Sequence, residues 1–375
     1  MCVISTAFLQ RGTAGLFSTQ DRARMALEGG ADAVFALPVS FSCAPADRFA
    51  LGGVHLLNSM GVITSQAFGC ENAADAVLLR TAAHCLNDEP PAFRAALRSR
   101  LQTGMPYPQA QAEALEAGAG VPAELLAAPN NILAVAYLRH LLRLNSAIEP
   151  VFVQRLGSRR ASANGADSPL PSSAIRELLY SGGPVSDMGS PPEKVAAALP
   201  ESSAGIVLES FCKEWVCPPE ALSQALLYRL YSLRPGEALR YTASTEGLEH
   251  RLEKALASLP ASRSHLLELL KTRRYTYAGL QRWLTRILLD LPLSSQPASP
   301  GYLRLLGFRD SARPLLRQIG RKASLPVITK PARGKAYLEE DARAERLWGL
   351  GAGRPASLFE QSPVTVPTAK EEPEQ

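Results

Sequence analysis

The sequence predicts an α/β domain with a parallel sheet, followed by an all-α domain. In the first half, short apolar runs alternate with segments of helical periodicity, which is typical of parallel strands covered by helices. In the second half, apolar residues recur almost throughout at helical spacing, and a stretch rich in glycine and proline separates the halves. We therefore expect an N-terminal domain over 1–183, a linker over 184–196, a helical domain over 197–350 and a disordered tail over 351–375.

The elements follow from local patterns. Strands are predicted where short apolar runs end at a turn former or a polar loop, at 1–5, 33–37, 65–68 and 151–153. Helices of the first half are predicted at 18–30, 45–60, 73–86, 92–102, 108–117, 131–144 and 173–180. Helices of the second half are predicted at 221–233, 247–259, 264–271, 277–289 and 311–320. Ligands of such a sheet bind at the carboxyl ends of its strands.

Composition narrows the class of protein. Of the 375 residues, 46% are hydrophobic and 20% are charged, as in globular domains. No apolar run approaches the roughly 20 residues that span a bilayer, and no signal peptide pattern precedes the first strand. The six cysteines have no paired spacing, so we expect reduced thiols, no metal site and a cytoplasmic location.

Charge is unevenly distributed along the chain. The net charge is +5, yet residues 263–335 contain 15 Lys/Arg and three acids. A basic half joined to an acidic half indicates a polyanion-binding module, and we favour nucleic acid over an ordinary solvated surface, which would carry both signs.

Phosphate-binding candidates occur late in the first half. Ser172 and Ser173 place two hydroxyls at a predicted helix start, and Arg176 follows one turn later. Free amides and the helix dipole at such a start favour phosphate oxygens, although a plain serine cap gives the same pattern. Arg155 directly follows a predicted strand, where a phosphate-binding arginine would lie, although a solvated arginine is also common there.

Two further positions are candidates for contact with a base or ribose. Asn130 and Asn131 open a predicted helix, and since one asparagine suffices as a cap, the other is available to a ligand. Gly69 ends a strand, where it is either a turn glycine or a point at which the backbone approaches a purine closely.

Cations interleave with aromatic residues at 273–277 and 281–286. Arginines neutralise phosphates and exposed rings stack on unpaired bases, a combination that suits RNA loops. We expect Tyr277 and Trp283 to lie in the core of an amphipathic helix. The arginines expected on the surface as RNA contacts are Arg273, Arg274, Arg282 and Arg286.

Several ordered segments together resemble the bacterial tRNA(Met) cytidine acetate ligase family over about residues 1–350. They include Gln10-Arg11-Gly12, Leu37-Pro38-Val39, Phe68-Gly69-Cys70-Glu71, Pro129-Asn130-Asn131-Ile132-Leu133, Ser173-Ala174-Ile175-Arg176, Arg273-Arg274-Tyr275-Thr276, Leu306-Gly307-Phe308 and the run from Ser324 to Lys330. Each segment is weakly specific, and their collinear order carries the resemblance.

The resemblance implies a Rossmann-like nucleotidyltransferase domain of the HxGH type and a helical tRNA-binding domain. Such enzymes activate acetate with ATP as acetyl-adenylate and acetylate N4 of the wobble cytidine of elongator tRNA(Met). Residues that match ATP-contacting positions are Gly69, Asn130 and Arg155, with the phosphate-binding turn at 172–176. Lys330 joins the arginines as an expected RNA contact, and the resemblance leaves Mg²⁺ open.

The sequence departs from the family pattern at four places. The family's first strand and its His-x-Gly-His motif are not found, so no catalytic residue is assigned. Ser5-Thr6-Ala7-Phe8 stands where the family has Ser-Gly-Asn-Phe. Ser18-Thr19 stands where an Asp-Lys pair is expected, and Arg159-Arg160-Ala161-Ser162 where Tyr-His-Asp is usual.

These departures leave two main hypotheses, namely a divergent ligase and a catalytically impaired relative that binds tRNA or nucleotide. A third, a nucleotidyltransferase acting on a small molecule, is disfavoured by the basic second half.

Overall fold

The computed structural model describes residues 1–155, 175, 199–243, 247–272, 274–355 and 357–367. The chain divides into two compact units, unit 1 with Met1–Pro45 and Arg160–Gln375 and unit 2 with Ala46–Arg159. The first 45 residues thus group with the second half of the chain. The predicted linker at 184–196 lies outside the described residues.

The predicted α/β fold class is confirmed. The described strands are β1 Cys2–Ser5, β2 Ala33–Leu37, β3 Ser65–Cys70, β4 Glu149–Gln154, β5 Leu303–Arg309, β6 Val327–Ile328 and β7 Val364–Val366. The described helices of the first half are α1 Thr19–Glu28, α2 Val39–Ser42, α3 Ala46–Ser59, α4 Ala76–Asp88, α5 Pro91–Gln102, α6 Tyr107–Ala119 and α7 Pro129–Arg143. Those of the second half are α8 Glu201–Cys212, α9 Ser223–Tyr231, α10 Leu248–Ala257, α11 Arg263–Leu270, α12 Tyr277–Leu288, α13 Arg313–Lys322 and α14 Glu339–Gly351. No described helix is both long and apolar enough to cross a membrane.

The sheet of unit 1 combines strands from both ends of the chain. Its order is β1-β2-β5-β6, with β7 also paired to β5. The pairs β1–β2, β5–β6 and β5–β7 are parallel, and β2–β5 is antiparallel. All five residues of β2 are buried, as expected for a central strand that is apolar throughout.

The sequence predicts an all-α second half, and this part of the prediction is wrong, because β5, β6 and β7 lie in that half. Leu303-Arg304-Leu305-Leu306 is a short apolar run, and such runs do not distinguish a buried strand from a helix by periodicity. Residues 364–366, placed in the predicted disordered tail, pair with β5. That pairing joins residues over 50 positions apart, so no local pattern announces it.

Trp348 of α14 anchors one core of unit 1. It is fully buried among Phe8, Val39 and Leu222, and its indole Nε1 donates to the carbonyl of Gly15 at 2.6 Å. Helix α14 is thus fixed against the segments that follow β1 and β2.

Buried carboxylates of α14 reinforce that attachment. Asp341 accepts hydrogen bonds from the Val39 amide at 2.8 Å and from the Tyr302 hydroxyl at 2.6 Å. Glu345 accepts from the Thr19 hydroxyl at 2.7 Å. Burial raises the pKa of both carboxyl groups, and the positive charge of the buried Arg304 opposes that rise.

Helices α9–α12 pack around leucines with Tyr241 and Trp283. Asp290, just beyond α12, ties this group together. Its carboxylate accepts from the Tyr241 hydroxyl at 2.5 Å and lies 3.3 Å from both Arg229 and Arg343. These contacts, the Tyr241 hydrogen bond first, hold the pKa of Asp290 below its usual 3.8.

Unit 2 is built on the parallel pair β3–β4. Alternate residues of β3, namely Gln66, Phe68 and Cys70, point into the core, and the residues between them are exposed. Helices α4–α7 supply the other core side chains, which include Leu79, Phe93, Leu115 and Leu138. Since the strands are parallel and in register, Cys70 lies beside Gln154 and both strands end at one edge.

Asp341→Ala tests the buried attachment of α14. It leaves the Val39 amide and the Tyr302 hydroxyl buried without an acceptor, so we expect the free energy of unfolding to fall by about 2–4 kcal/mol. Urea unfolding of the full chain measures this. Glu339→Ala, an exposed carboxylate on the same helix, should change it by about 0.5 kcal/mol or less. Equal losses for the two variants would contradict the assignment.

Asp290→Asn tests the electrostatic link in the helical group. A carboxylate whose pKa is lowered on folding stabilises the protein above its unfolded pKa, and that stabilisation is lost as the pH falls through the folded value. We expect the wild type to exceed Asp290→Asn in free energy of unfolding near neutral pH, with the difference shrinking as the pH falls below 3.8. A pH-independent difference would count against the contact. Asp310→Asn, in an exposed ion pair, serves as the control.

Candidate functional site

A cleft of about 610 Å³ lies in unit 2 at the carboxyl ends of β3 and β4. Its polar lining includes Glu71 after β3, Asn131 of α7 and Arg155 after β4. The amide of Arg155 donates to the carbonyl of Cys70 at 3.0 Å, so the two strand ends remain paired where the cleft begins. This is the edge at which open α/β sheets bind ligands.

Asn131 is a structural residue of this cleft. It is only 3% exposed, and its side-chain Oδ1 accepts from the Glu71 amide at 3.0 Å. Its Nδ2 donates to the carbonyl of Leu125 at 3.0 Å. One buried amide therefore joins the end of β3, the loop before α7 and the start of α7.

Asn130 takes the other position of the pair. It is half-buried, and its Nδ2 donates to Glu71 Oε1 at 2.7 Å. That bond orients the side chain and leaves its carbonyl oxygen without a protein donor among the described residues. The N-cap residue of α7 is Ala128, whose side chain cannot accept a hydrogen bond. The backbone amides of the first turn of α7 are therefore not capped by that side chain.

Gly69 lies in the exposed row of β3, one residue before the strand ends. A methyl group built there would meet only the Val153 carbonyl, at 4.0 Å. Packing among the described residues therefore does not require glycine, and the backbone is open on that face. Val151 and Val153 of β4 are also 44% and 50% exposed. Contact of this face with a nucleotide stays a prediction.

The charges of the cleft are asymmetric. In the described part of the chain, three carboxyl groups line it, those of Glu71, Asp75 and Glu124, against one cation, Arg155. An anion is attracted to the exposed guanidinium and repelled by the carboxylates, so a bound triphosphate would lie towards Arg155. Among the described residues, no group of three or more His, Cys, Asp or Glu could hold a metal ion.

The predicted phosphate-binding residues Ser172, Ser173 and Arg176 lie outside the described residues. Their contribution to the cleft stays a prediction.

The predicted RNA contacts differ in exposure. Arg274 and Lys330 are exposed, and Arg273 lies outside the described residues. Arg286 is only 4% exposed, and its Nη2 donates to the carbonyl of Leu291 at 2.6 Å. The prediction that Arg286 lies on the surface is wrong, because it shares the buried side of α12 with Trp283.

The side chain of Arg282 is also partly buried. It is half-buried, its Nη1 lies 3.3 Å from the carbonyl of Gln10, and burial lowers its pKa. Gly12 permits this packing, since it has φ +79° and a Cβ there would come within 2.4 Å of the Arg282 amide nitrogen. Trp283 is buried as predicted, whereas Tyr277 is 42% exposed.

Helix α13 matches the helix predicted at 311–320, but its arginines are not among the predicted RNA contacts. Arg313, Arg317 and Arg321 recur every four residues and are all exposed. That spacing places them on one side of the helix, and it was readable in the sequence.

Known proteins match this chain along nearly its whole length. A family model described as HIGH Nucleotidyl Transferase matches residues 1–359. The tRNA(Met) cytidine acetate ligase of Acetivibrio thermocellus is 32% identical, over 88% of this chain and 80% of the relative. That of Alkaliphilus metalliredigens is also 32% identical, over 99% and 92%.

Solved structures agree with these matches. Thermotoga maritima TmcAL in its apo form has a TM-score of 0.86 and 26% identity, over 98% of this chain and 92% of that chain. The same protein bound with alpha-thio ATP has a TM-score of 0.85.

Replacement of the two asparagines separates scaffold from ligand contact. Asn131→Ala breaks the two hydrogen bonds of a buried side chain, so we expect the free energy of unfolding to fall by about 1–3 kcal/mol. Asn130→Ala, its matched control, removes one part-buried bond and should cost about 1 kcal/mol or less. Chemical denaturation of both variants measures the difference. The assignment fails if Asn130→Ala is the more destabilising change.

Proposed function

This chain belongs to the tRNA(Met) cytidine acetate ligase family within the HIGH nucleotidyltransferases, and from that premise we propose that it activates acetate with ATP and acetylates elongator tRNA(Met). Acetyl-adenylate is the proposed intermediate, and N4 of the wobble cytidine is the proposed acceptor. The observation that carries the proposal is the cleft at the ends of β3 and β4, which is lined by Arg155 and by Glu71, the carboxylate that accepts a hydrogen bond from Asn130. The alpha-thio ATP complex of TmcAL supports ATP as the nucleotide.

The proposed reaction has two balanced steps. A carboxylate oxygen of acetate attacks the α-phosphorus of ATP, and pyrophosphate leaves. The N4 amine of cytidine then attacks the acetyl carbonyl, AMP leaves with the bonding electron pair, and the amine loses one proton. The protein positions ATP beside acetate and stabilises charge that develops on the α-phosphate.

Residue roles follow from the charge of the cleft. Arg155 binds the phosphates, since it is the one cation that the described residues contribute to a lining with three carboxylates. Asn130 then faces the ribose or base, with its carbonyl oxygen as acceptor. Ser172, Ser173 and Arg176 are proposed to complete the phosphate site. Arg274 and Lys330, with Arg273, are proposed as tRNA contacts. The proposed location of the protein is the cytoplasm.

A second candidate function is binding of nucleotide or tRNA without ligation. It is favoured by Ser18 and Thr19, which stand where the family pattern has Asp-Lys. The Ser18 hydroxyl caps α1 by accepting from the Asp21 amide at 3.0 Å. The Thr19 hydroxyl donates to the buried Glu345. Both side chains therefore serve the fold, and neither supplies the charge of the pair they replace.

A product assay decides between these candidates. The purified full chain is incubated with ATP, labelled acetate and an elongator tRNA(Met) transcript. We expect acetyl-adenylate without tRNA, and N4-acetylcytidine with it. If neither product forms while ATP and tRNA still bind, the ligase proposal fails and the binding function stands.

Arg155→Gln tests the cleft itself. Loss of one charge-assisted phosphate contact should weaken ATP binding about tenfold, as measured by calorimetric titration. Arg94→Gln removes an exposed arginine of α5 in the same unit and should leave affinity unchanged. Unchanged ATP affinity in Arg155→Gln would place the nucleotide elsewhere.

A further inference from the structure

Unit 1 presents a continuous basic stretch, here called the basic ridge, over residues 311–335. The stretch contains seven Lys/Arg and no Asp or Glu. All seven are exposed, namely Arg313, Arg317, Arg321, Lys322, Lys330, Arg333 and Lys335. Of these seven residues, Lys330 is the one that the family resemblance predicts as an RNA contact.

Helix α13 holds the first part of the ridge in a fixed arrangement. Arg313, Arg317 and Arg321 are four residues apart, so successive side chains are displaced by about 6 Å along the helix axis. Ile319 on another side of the helix is fully buried and attaches it to the unit. The arginines are therefore presented as a row on a packed helix.

Most charges of the ridge have no partner within the residues that the structure describes. Arg313 pairs with Asp310 at 2.7 Å. In the described part of the chain, no ion pair or hydrogen bond is found for the side chains of Arg317, Arg321, Lys322, Lys330 and Arg333. Like charges four residues apart on a helix repel each other, so this row opposes folding.

Helix stability explains only part of this pattern. Cations in the last turn favour the helix dipole, which accounts for Arg321 and Lys322. It does not account for Arg317 or for the cations beyond the helix. A row of unpaired cations on a packed helix is the arrangement that binds a polyanion.

We propose that the basic ridge binds the sugar-phosphate backbone of a base-paired RNA stem. This inference rests on the proposed function, because tRNA is the polyanion which that function supplies. Recognition of unpaired bases depends on aromatic stacking, and Tyr337 is the exposed ring next to the ridge. The ridge otherwise offers charge alone, so it reads the stem by shape and phosphate position and not by sequence.

A double variant with a matched control tests the ridge. Arg317→Gln with Arg321→Gln removes two cations four residues apart on α13. Arg94→Gln with Arg98→Gln removes two exposed arginines of the same spacing on α5. Fluorescence anisotropy measures binding of each full-length variant to an elongator tRNA(Met) transcript and to an RNA duplex of unrelated sequence, over a range of salt concentrations.

We expect the α13 variant to bind both RNAs about tenfold more weakly and to lower the salt slope by about two. The α5 variant should bind both like the wild type. The midpoint temperature of thermal unfolding of the α13 variant should be unchanged or slightly raised, since repulsion between its arginines is removed.

The remaining outcomes separate the two proposals. If the wild type binds tRNA and the α13 variant binds it equally well, the ridge is overturned and the proposed function stands. If the wild type binds the duplex through α13 but shows no preference for tRNA(Met), the ridge stands and the proposed substrate fails. If the wild type binds neither RNA, or if both variants weaken binding equally, the ridge is overturned.

Discussion

The candidate nucleotide cleft depends on one buried side chain, the amide of Asn131. It accepts from the first amide after β3 and donates to the loop before α7, so it closes the corner where strand and helix meet. The parallel register of β3 and β4 then brings Arg155 to the same corner. Asn130, Glu71 and Arg155 are thereby held at the edge where open α/β sheets bind ligands.

In unit 1, the buried polar residues Ser18 and Thr19 stand where the family pattern has an Asp-Lys pair. Thr19 is committed to Glu345, and Ser18 to the start of α1. Arg22 of α1 donates to the carbonyls of Ser5 and Thr6 at the end of β1, and burial lowers its pKa to about 10. These contacts stabilise the end of β1 and the start of α1. Because Ser18 and Thr19 are uncharged and engaged in these contacts, neither supplies the charges of the Asp-Lys pair of the family pattern.

Much of the fold was readable from the sequence. Strands β1 to β4 coincide with short apolar runs. The edge rule for parallel strands predicts Gly69, Arg155 and the turn at 172–176 near one edge, and that turn lies outside the described residues. Pairings between distant segments were not readable, which is why β5 and β7 were missed. Arg286 was misplaced because a cation beside a tryptophan does not reveal which side of a helix is buried. Asn131 could not be told from Asn130, since only the folded chain shows which amide bridges the corner.

We propose that nucleotide binds at the corner formed by β3, β4 and α7. Amide hydrogen exchange of the full chain, with and without ATP, tests it most directly. We expect slower exchange at residues 69–72, 130–133 and 155 when ATP is added, since bound ligand stabilises the local structure it contacts. Protection confined to other segments, with these amides exchanging as before, would contradict it.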